Sequence, residues 1–119
     1  QSNFIVLAAP ATEHTTGIFN AAAFARMKPE AALINISRAA LVDIGDLLAS
    51  LDAGQLAAAA TDVFAPEPPP ADDPLLHHPK VFVSPHVAWG TEEAVQRLLD
   101  LSIANVEAFQ NGNPINVVS

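Results

Sequence analysis

The sequence predicts an α/β fold: a parallel sheet with helical crossovers, followed by one long helix. Three observations carry this. Apolar runs rich in β-formers recur at Phe4–Ala8, Ala32–Ile36 and Lys80–Ser84. Segments with helix caps and a one-sided apolar stripe stand between and after them, at Asp46–Ala53 and Thr91–Gln110. Strands that alternate with helices pair in parallel, because each crossover carries the chain back to the same end of the sheet.

Taken in order, Phe4–Ala8 reads as a buried strand closed by Pro10. The small polar stretch Ala11–Gly17 reads as a loop. Asn20 is a suitable cap for a short helix over Ala21–Met27, which Pro29 ends. Ala32–Ile36 is the second strand, with Ser37 and Arg38 at its end. The next helix is expected from Asp46 to about Ala53, with Leu47, Leu48 and Leu51 on one face and Gly54 as its stop. Leu56–Val63 is rich in alanine, so propensity alone favours helix over Leu56–Ala60. Its shortness and its run into Asp62-Val63-Phe64 favour a strand instead. Ala65–Pro79 holds most of the ten prolines and reads as an extended surface loop, neither helix nor central strand. Lys80–Ser84 is again a strand. Thr91 caps the longest helix, with Glu92 and Glu93 in its first turn. Val95, Leu98, Leu99, Ser102, Ile103, Val106 and Phe109 form its stripe, Asn111–Pro114 stops it, and Ile115–Val118 is an extended tail.

The 119 residues suffice for one small domain, and half of them are hydrophobic. The formal net charge of −8 argues against nucleic acid or an anionic membrane surface as the main partner, since both require a basic face. An anionic small substrate stays open, because one arginine can hold it. The absence of cysteine excludes a disulfide framework, a thiolate nucleophile and a cysteine-ligated zinc, and fits a cytoplasmic protein. No apolar run approaches the length of a membrane span, and no secretory signal is evident.

Successive parallel strands point the same way, so their carboxyl ends line one edge, where open α/β sheets bind ligands. Arg38, Asp62 with nearby Glu67, and His86 fall at those ends. Arginine offers a charged planar fork that grips a carboxylate. Histidine gives or takes a proton near neutral pH, and a neighbouring carboxylate fixes its tautomer. This set suits oxidation of a hydroxy acid or reduction of a keto acid. Each residue also has a plainer reading. Arg38 could be a surface charge, Glu67 a solvated loop residue, Asp62 a turn or cap residue, and His86 a helix-entrance histidine satisfied by backbone. His14, His77 and His78 lie in polar or proline-rich loops and make no converging metal-ligand set.

At these residues the sequence resembles the D-isomer-specific 2-hydroxyacid dehydrogenase family over nearly its whole length. Ala9-Pro-Ala-Thr-Glu-His-Thr-Thr-Gly-Ile18 is similar to the family's PLTPETRGL loop. Phe24-Ala-Arg-Met-Lys-Pro29 followed by Ala32-Leu-Ile-Asn-Ile-Ser-Arg-Ala-Ala-Leu-Val-Asp43 resembles its MKPGAxLINxSRGxxVD signature. Asp62-Val-Phe-Ala-Pro-Glu-Pro68 resembles DVFxxEP, and Asp73-Pro-Leu-Leu76 and Ser84-Pro-His86 match DxPL and TPH. His86–Glu93 and Ile103–Gly112 look most like the glycerate dehydrogenase or hydroxypyruvate reductase branch. The resemblance implies that Arg38 binds the substrate carboxylate and carbonyl oxygen. It implies that His86 is the general acid in reduction and base in oxidation, with Glu67 as its partner. It places Asp62 near the nicotinamide carboxamide, and Ala9, Pro10, Thr15, Ile36, Ser37, Arg38, His86 and Ala88 along a site for NAD or NADP. The substrate implied is a small 2-hydroxy or 2-keto acid.

Two departures from the pattern matter. Ala39 stands where the family commonly has glycine, which would strain the turn behind Arg38 if that position needed positive φ. No G-x-G-x-x-G occurs in the 119 residues, although the family's nucleotide domain carries that phosphate-binding turn. The expectation is therefore the C-terminal half of a Rossmann-like sheet over residues 1–90, and a returning helix with tail over 91–119 that would pack on a substrate domain. Such a piece is expected to be inactive alone, to expose apolar surface, and to form a homo-oligomer or belong with a missing N-terminal portion. The competing reading is a non-catalytic truncated relative that self-associates or completes a partner chain.

Overall fold

In the computed structural model, which describes residues 2–118, the apolar runs become four short strands of one sheet. They are β1 (Phe4–Leu7), β2 (Ala32–Asn35), β3 (Ala58–Thr61) and β4 (Val81–Val83), in the order β1-β2-β3-β4. Every pairing is parallel. The chain divides into one unit over Gln1–Val87, which holds the sheet, and a second over Ala88–Ser119.

Alternation along the strands assigns the two faces of the sheet. The rows Ile5–Leu33–Ala59–Val81 and Leu7–Asn35–Thr61–Val83 share one face, by register. Against it lies the core: Phe24, Leu41, Leu47, Leu51, Leu56 and Leu75, all buried. The row Val6–Ile34–Ala60–Phe82 lies on the other face, where Phe4, Val6 and Phe82 are exposed. The alanines of β3 are strand because β2 and β4 hydrogen-bond on both of its sides. Tertiary pairing overrides the helix propensity of a short alanine run.

Helix α1 (Ala21–Phe24) is capped by Asn20, whose Oδ1 accepts from the Ala22 and Ala23 amides at 3.1 and 3.3 Å. It stops at Phe24, three residues short of Met27. Helix α2 (Ile44–Asp52) starts earlier than expected. Its cap is Asp43, which accepts from the Asp46 amide at 3.0 Å, while the Asp46 carboxylate reaches across to the Ala21 amide at 2.8 Å. Gly54 ends α2 with φ of 71°, a backbone angle that disfavours any Cβ.

The proline-rich stretch is not wholly extended. Pro74–His77 forms a helical turn, α3, capped by Asp73 through the Leu75 amide at 2.9 Å. Proline is tolerated there because the first helical position has no intrahelical use for an amide hydrogen, and the turn drives Leu75 into the core. In the second unit, α4 (Glu92–Gln110) is capped by Thr91 and buries none of its residues. Ile115–Val118 is not a uniform extended tail, since Asn116 takes φ of 54° and its side chain meets Asn105 at 3.0 Å.

Candidate active site

The carboxyl ends of β2, β3 and β4 each hand over a polar residue. After β2, the buried Asn35 carboxamide holds the turn that carries Arg38. Its Oδ1 accepts from the Ser37 amide and hydroxyl, both at 3.1 Å, and its Nδ2 donates to the Arg38 carbonyl at 2.9 Å. Arg38 itself has extended backbone and its guanidinium donates to the Ser37 carbonyl at 2.7 Å. Ala39 opens a short 3-10 turn, Ala39–Leu41, and is not among the residues with positive φ. The feared strain is absent because the turn behind Arg38 is built by Asn35 and not by a left-handed residue.

After β3, the chain supplies two carboxylates. Asp62 is 2% exposed, and its Oδ1 accepts from the Ser84 hydroxyl at 2.5 Å and the Val87 amide at 2.9 Å. Glu67, five residues on, turns back: its Oε1 accepts from the Phe64 amide at 2.8 Å and its Oε2 meets His86 Nδ1 at 2.7 Å. The Phe64 amide, then the His86 ring, hold the Glu67 carboxyl below its ordinary range, with the Arg38 charge adding to them against desolvation. An ionised carboxylate can only accept, so His86 Nδ1 carries the hydrogen in this contact. The ring's chemistry then resides at Nε2, as a lone pair in the neutral form or a second donor in the charged one.

After β4, Ser84 donates its amide to the Thr61 carbonyl at 3.0 Å, and the chain turns through Pro85 into His86, whose φ is 57°. This left-handed backbone is uncommon outside glycine and is concentrated at functional sites. Beside the His86–Glu67 pair lies an apolar cavity of about 490 Å³ bounded by Phe64, Pro68, Leu76 and Val83.

A second cavity, of about 470 Å³, opens between the ends of β1 and β2 and is lined by Ala8–Ala11 and Ile36–Arg38. It brings Ala9, Pro10, Ile36, Ser37 and Arg38 together from two loops. Thr15 is not in its lining; the Thr15 hydroxyl instead donates to the Pro10 carbonyl at 2.7 Å and shapes the loop. Ile36 also borders a hollow of about 260 Å³ shared with Asp62 and Ser84. Ala88 is the first residue of the second unit. His78 bridges to Asp52 at 3.2 Å and His77 to the Ala71 carbonyl at 2.7 Å. Among the described residues no three histidine, aspartate or glutamate side chains converge as a metal-holding group. No described helix is long and apolar enough to cross a membrane.

The sequence that builds this sheet matches a known domain. Residues 1–88 fit the model of the D-isomer specific 2-hydroxyacid dehydrogenase NAD binding domain. The chain belongs to that family. It is 39% identical over 119 residues to a hydroxypyruvate reductase of Blautia hydrogenotrophica, covering 100% of this chain and 37% of that one. It is 43% identical over 120 residues to a glycerate dehydrogenase of Methylorubrum extorquens, covering 99% and 38%. Among solved structures, the NADPH-dependent glyoxylate/hydroxypyruvate reductase of Sinorhizobium meliloti, in complex with NADP and sulfate, aligns with a TM-score of 0.85 at 33% identity, over 99% of this chain and 38% of that one. The chain thus spans under two-fifths of the length of these dehydrogenases, and its fold is the Rossmann-like α/β sheet of their NAD-binding domain.

Two residues that support the site carry little signal in the sequence. Asn35 sits inside an apolar strand, and only its polarity at a strand's carboxyl end could have singled it out. Ser84 sits one residue before Pro85 and reads as turn chemistry.

Proposed function

We propose that these residues form the catalytic edge of an NAD(P)-dependent dehydrogenase that reduces small 2-keto acids of the hydroxypyruvate and glyoxylate class. The observation that carries the reading is the 2.7 Å contact between His86 Nδ1 and Glu67 Oε2. Arg38 grips the substrate carboxylate with its fork and orients the keto group. His86 gives its Nε2 proton to the keto oxygen as that oxygen gains negative charge, and takes it back in oxidation. Glu67 holds the ring in the tautomer that leaves the proton exchange to Nε2, and it steadies the imidazolium.

The dinucleotide, when bound, supplies the hydride. The residues present fit part of it: Ala9, Pro10, Ile36 and Ser37 line one open cavity at the strand ends, where the alanines leave the backbone approachable and Ile36 offers an apolar surface. The glycine-rich turn for the pyrophosphate is not among the 119 residues. Half a cradle does not hold a nicotinamide within reacting distance, so these residues alone are expected to turn over little or no substrate.

The test is a chimera in which this chain replaces the matching segment of the Methylorubrum extorquens relative. NADH and NADPH oxidation is followed with hydroxypyruvate and glyoxylate. The expected result is turnover that falls roughly 10²–10⁴-fold in His86→Ala. A chimera whose turnover is indifferent to His86→Ala would sink the reading.

A further inference from the structure

Left-handed backbone at a residue that carries a Cβ is uncommon and is stabilised by the groups that hold it. At His86, with φ of 57°, the holding group is identifiable. Asp62 uses one oxygen, Oδ1, to accept from the Ser84 hydroxyl at 2.5 Å and from the Val87 amide at 2.9 Å. These two donors bracket Pro85 and His86 in sequence. Pro85 has no amide hydrogen to offer and the Ser84 amide is committed to the Thr61 carbonyl at 3.0 Å, so on the strand side the Ser84 hydroxyl is the donor. The carboxylate that receives both is 2% exposed, and a buried charge gains most from each donor aimed at it. The His86 side chain is 42% exposed.

We propose that Ser84, acting through Asp62, is a positioning residue that sets the backbone at His86 and thereby delivers its ring to Glu67. Asp62 then serves His86 from behind, a role separate from any contact with the nicotinamide carboxamide. The division of labour follows the chain. Both carboxylates leave β3 on one loop, Asp62 pins the backbone of the β4 loop, and Glu67 pins its imidazole. The importance of the ring's placement rests on the reading of His86 as the proton-transfer group, but the geometry itself does not.

The test is nuclear magnetic resonance on the 119-residue chain, as wild type, Ser84→Ala and Ser84→Thr, which needs no turnover. Expected in Ser84→Ala is Val87 amide exchange about tenfold faster or more, the factor for one lost charge-assisted hydrogen bond, together with loss of the hydrogen-bonded His86 Nδ1–H signal. Threonine keeps the hydroxyl, so Ser84→Thr should restore both. A folded Ser84→Ala chain that retains both signals overturns the proposal. If Ser84→Ala does not fold, the wild type decides. A slowly exchanging Ser84 hydroxyl proton is required, and a rapidly averaged one overturns the proposal. Chimera turnover indifferent to His86 would sink the catalytic reading and leave the Ser84 result standing, while unmoved His86 signals would do the reverse.

Discussion

Replacing Asn35 by alanine tests how the turn behind Arg38 is built. The carboxamide makes three hydrogen bonds, at 2.9, 3.1 and 3.1 Å, and the residue is 4% exposed. A neutral bond of this kind contributes roughly 1 kcal/mol net, so their joint loss costs about 3 kcal/mol. For a domain of this size that corresponds to a fall in melting temperature on the order of 15 °C. Thermal and urea denaturation of the chain measure it directly. The same substitution in the chimera should raise KM for the keto acid about tenfold, because the Arg38 fork loses its fixed origin. A stability loss under about 0.5 kcal/mol, the size of an ordinary surface change, would refute the claim that Asn35 holds the turn. A large stability loss with unchanged KM would refute its role in aiming Arg38.

Three further outcomes are expected. Arg38→Lys keeps the charge but loses the planar fork, and should raise KM for the keto acid roughly tenfold or more, the worth of one charge-assisted bond; an unchanged KM would exclude bidentate binding. The Glu67 carboxyl should titrate below 4.5, its ordinary value, because the Phe64 amide and then His86 favour its charged form. Its folded value is depressed, so the stability it contributes is fully present above that ordinary value and is lost as pH falls through the folded one. Wild type and Glu67→Gln should accordingly differ near neutral pH and converge in acid. Carbon-detected titration checks the first point, and a midpoint at or above 4.5 would contradict it. Ala39→Gly should destabilise the chain by about 0.5–1 kcal/mol, since position 39 does not use positive φ; a gain in urea resistance would contradict this.

Much of the fold is legible before any coordinates because its signals are local. The apolar runs at Phe4, Ala32 and Val81, the caps Asn20 and Thr91, and the stop at Gly54 each act within a turn of chain. Where the reading slipped, two local signals competed. Asp43 and Asp46 are both good caps, and Asp46 is instead engaged with the Ala21 amide, a partner distant in sequence. Pro74 reads as a breaker, yet Asp73 before it and the core beyond Leu75 make it a helix start. The alanines of β3 became strand through their two neighbours.

The candidate site divides along the same line. By itself the sequence singled out candidates, because Arg38, Glu67 and His86 are of chemically capable types and lie at or shortly after the ends of apolar runs. It also determined the family, since several motifs occur in one order. Only the tertiary structure decided how these groups are held: Glu67 folding back between the Phe64 amide and His86, Asn35 building the turn under Arg38, Ser84 and Asp62 fixing a left-handed His86. The physical reason is distance along the chain. Residues twenty or so positions apart, such as Asp62 with Ser84 and Glu67 with His86, meet only because parallel pairing lays the strand ends side by side, and no local pattern encodes that meeting.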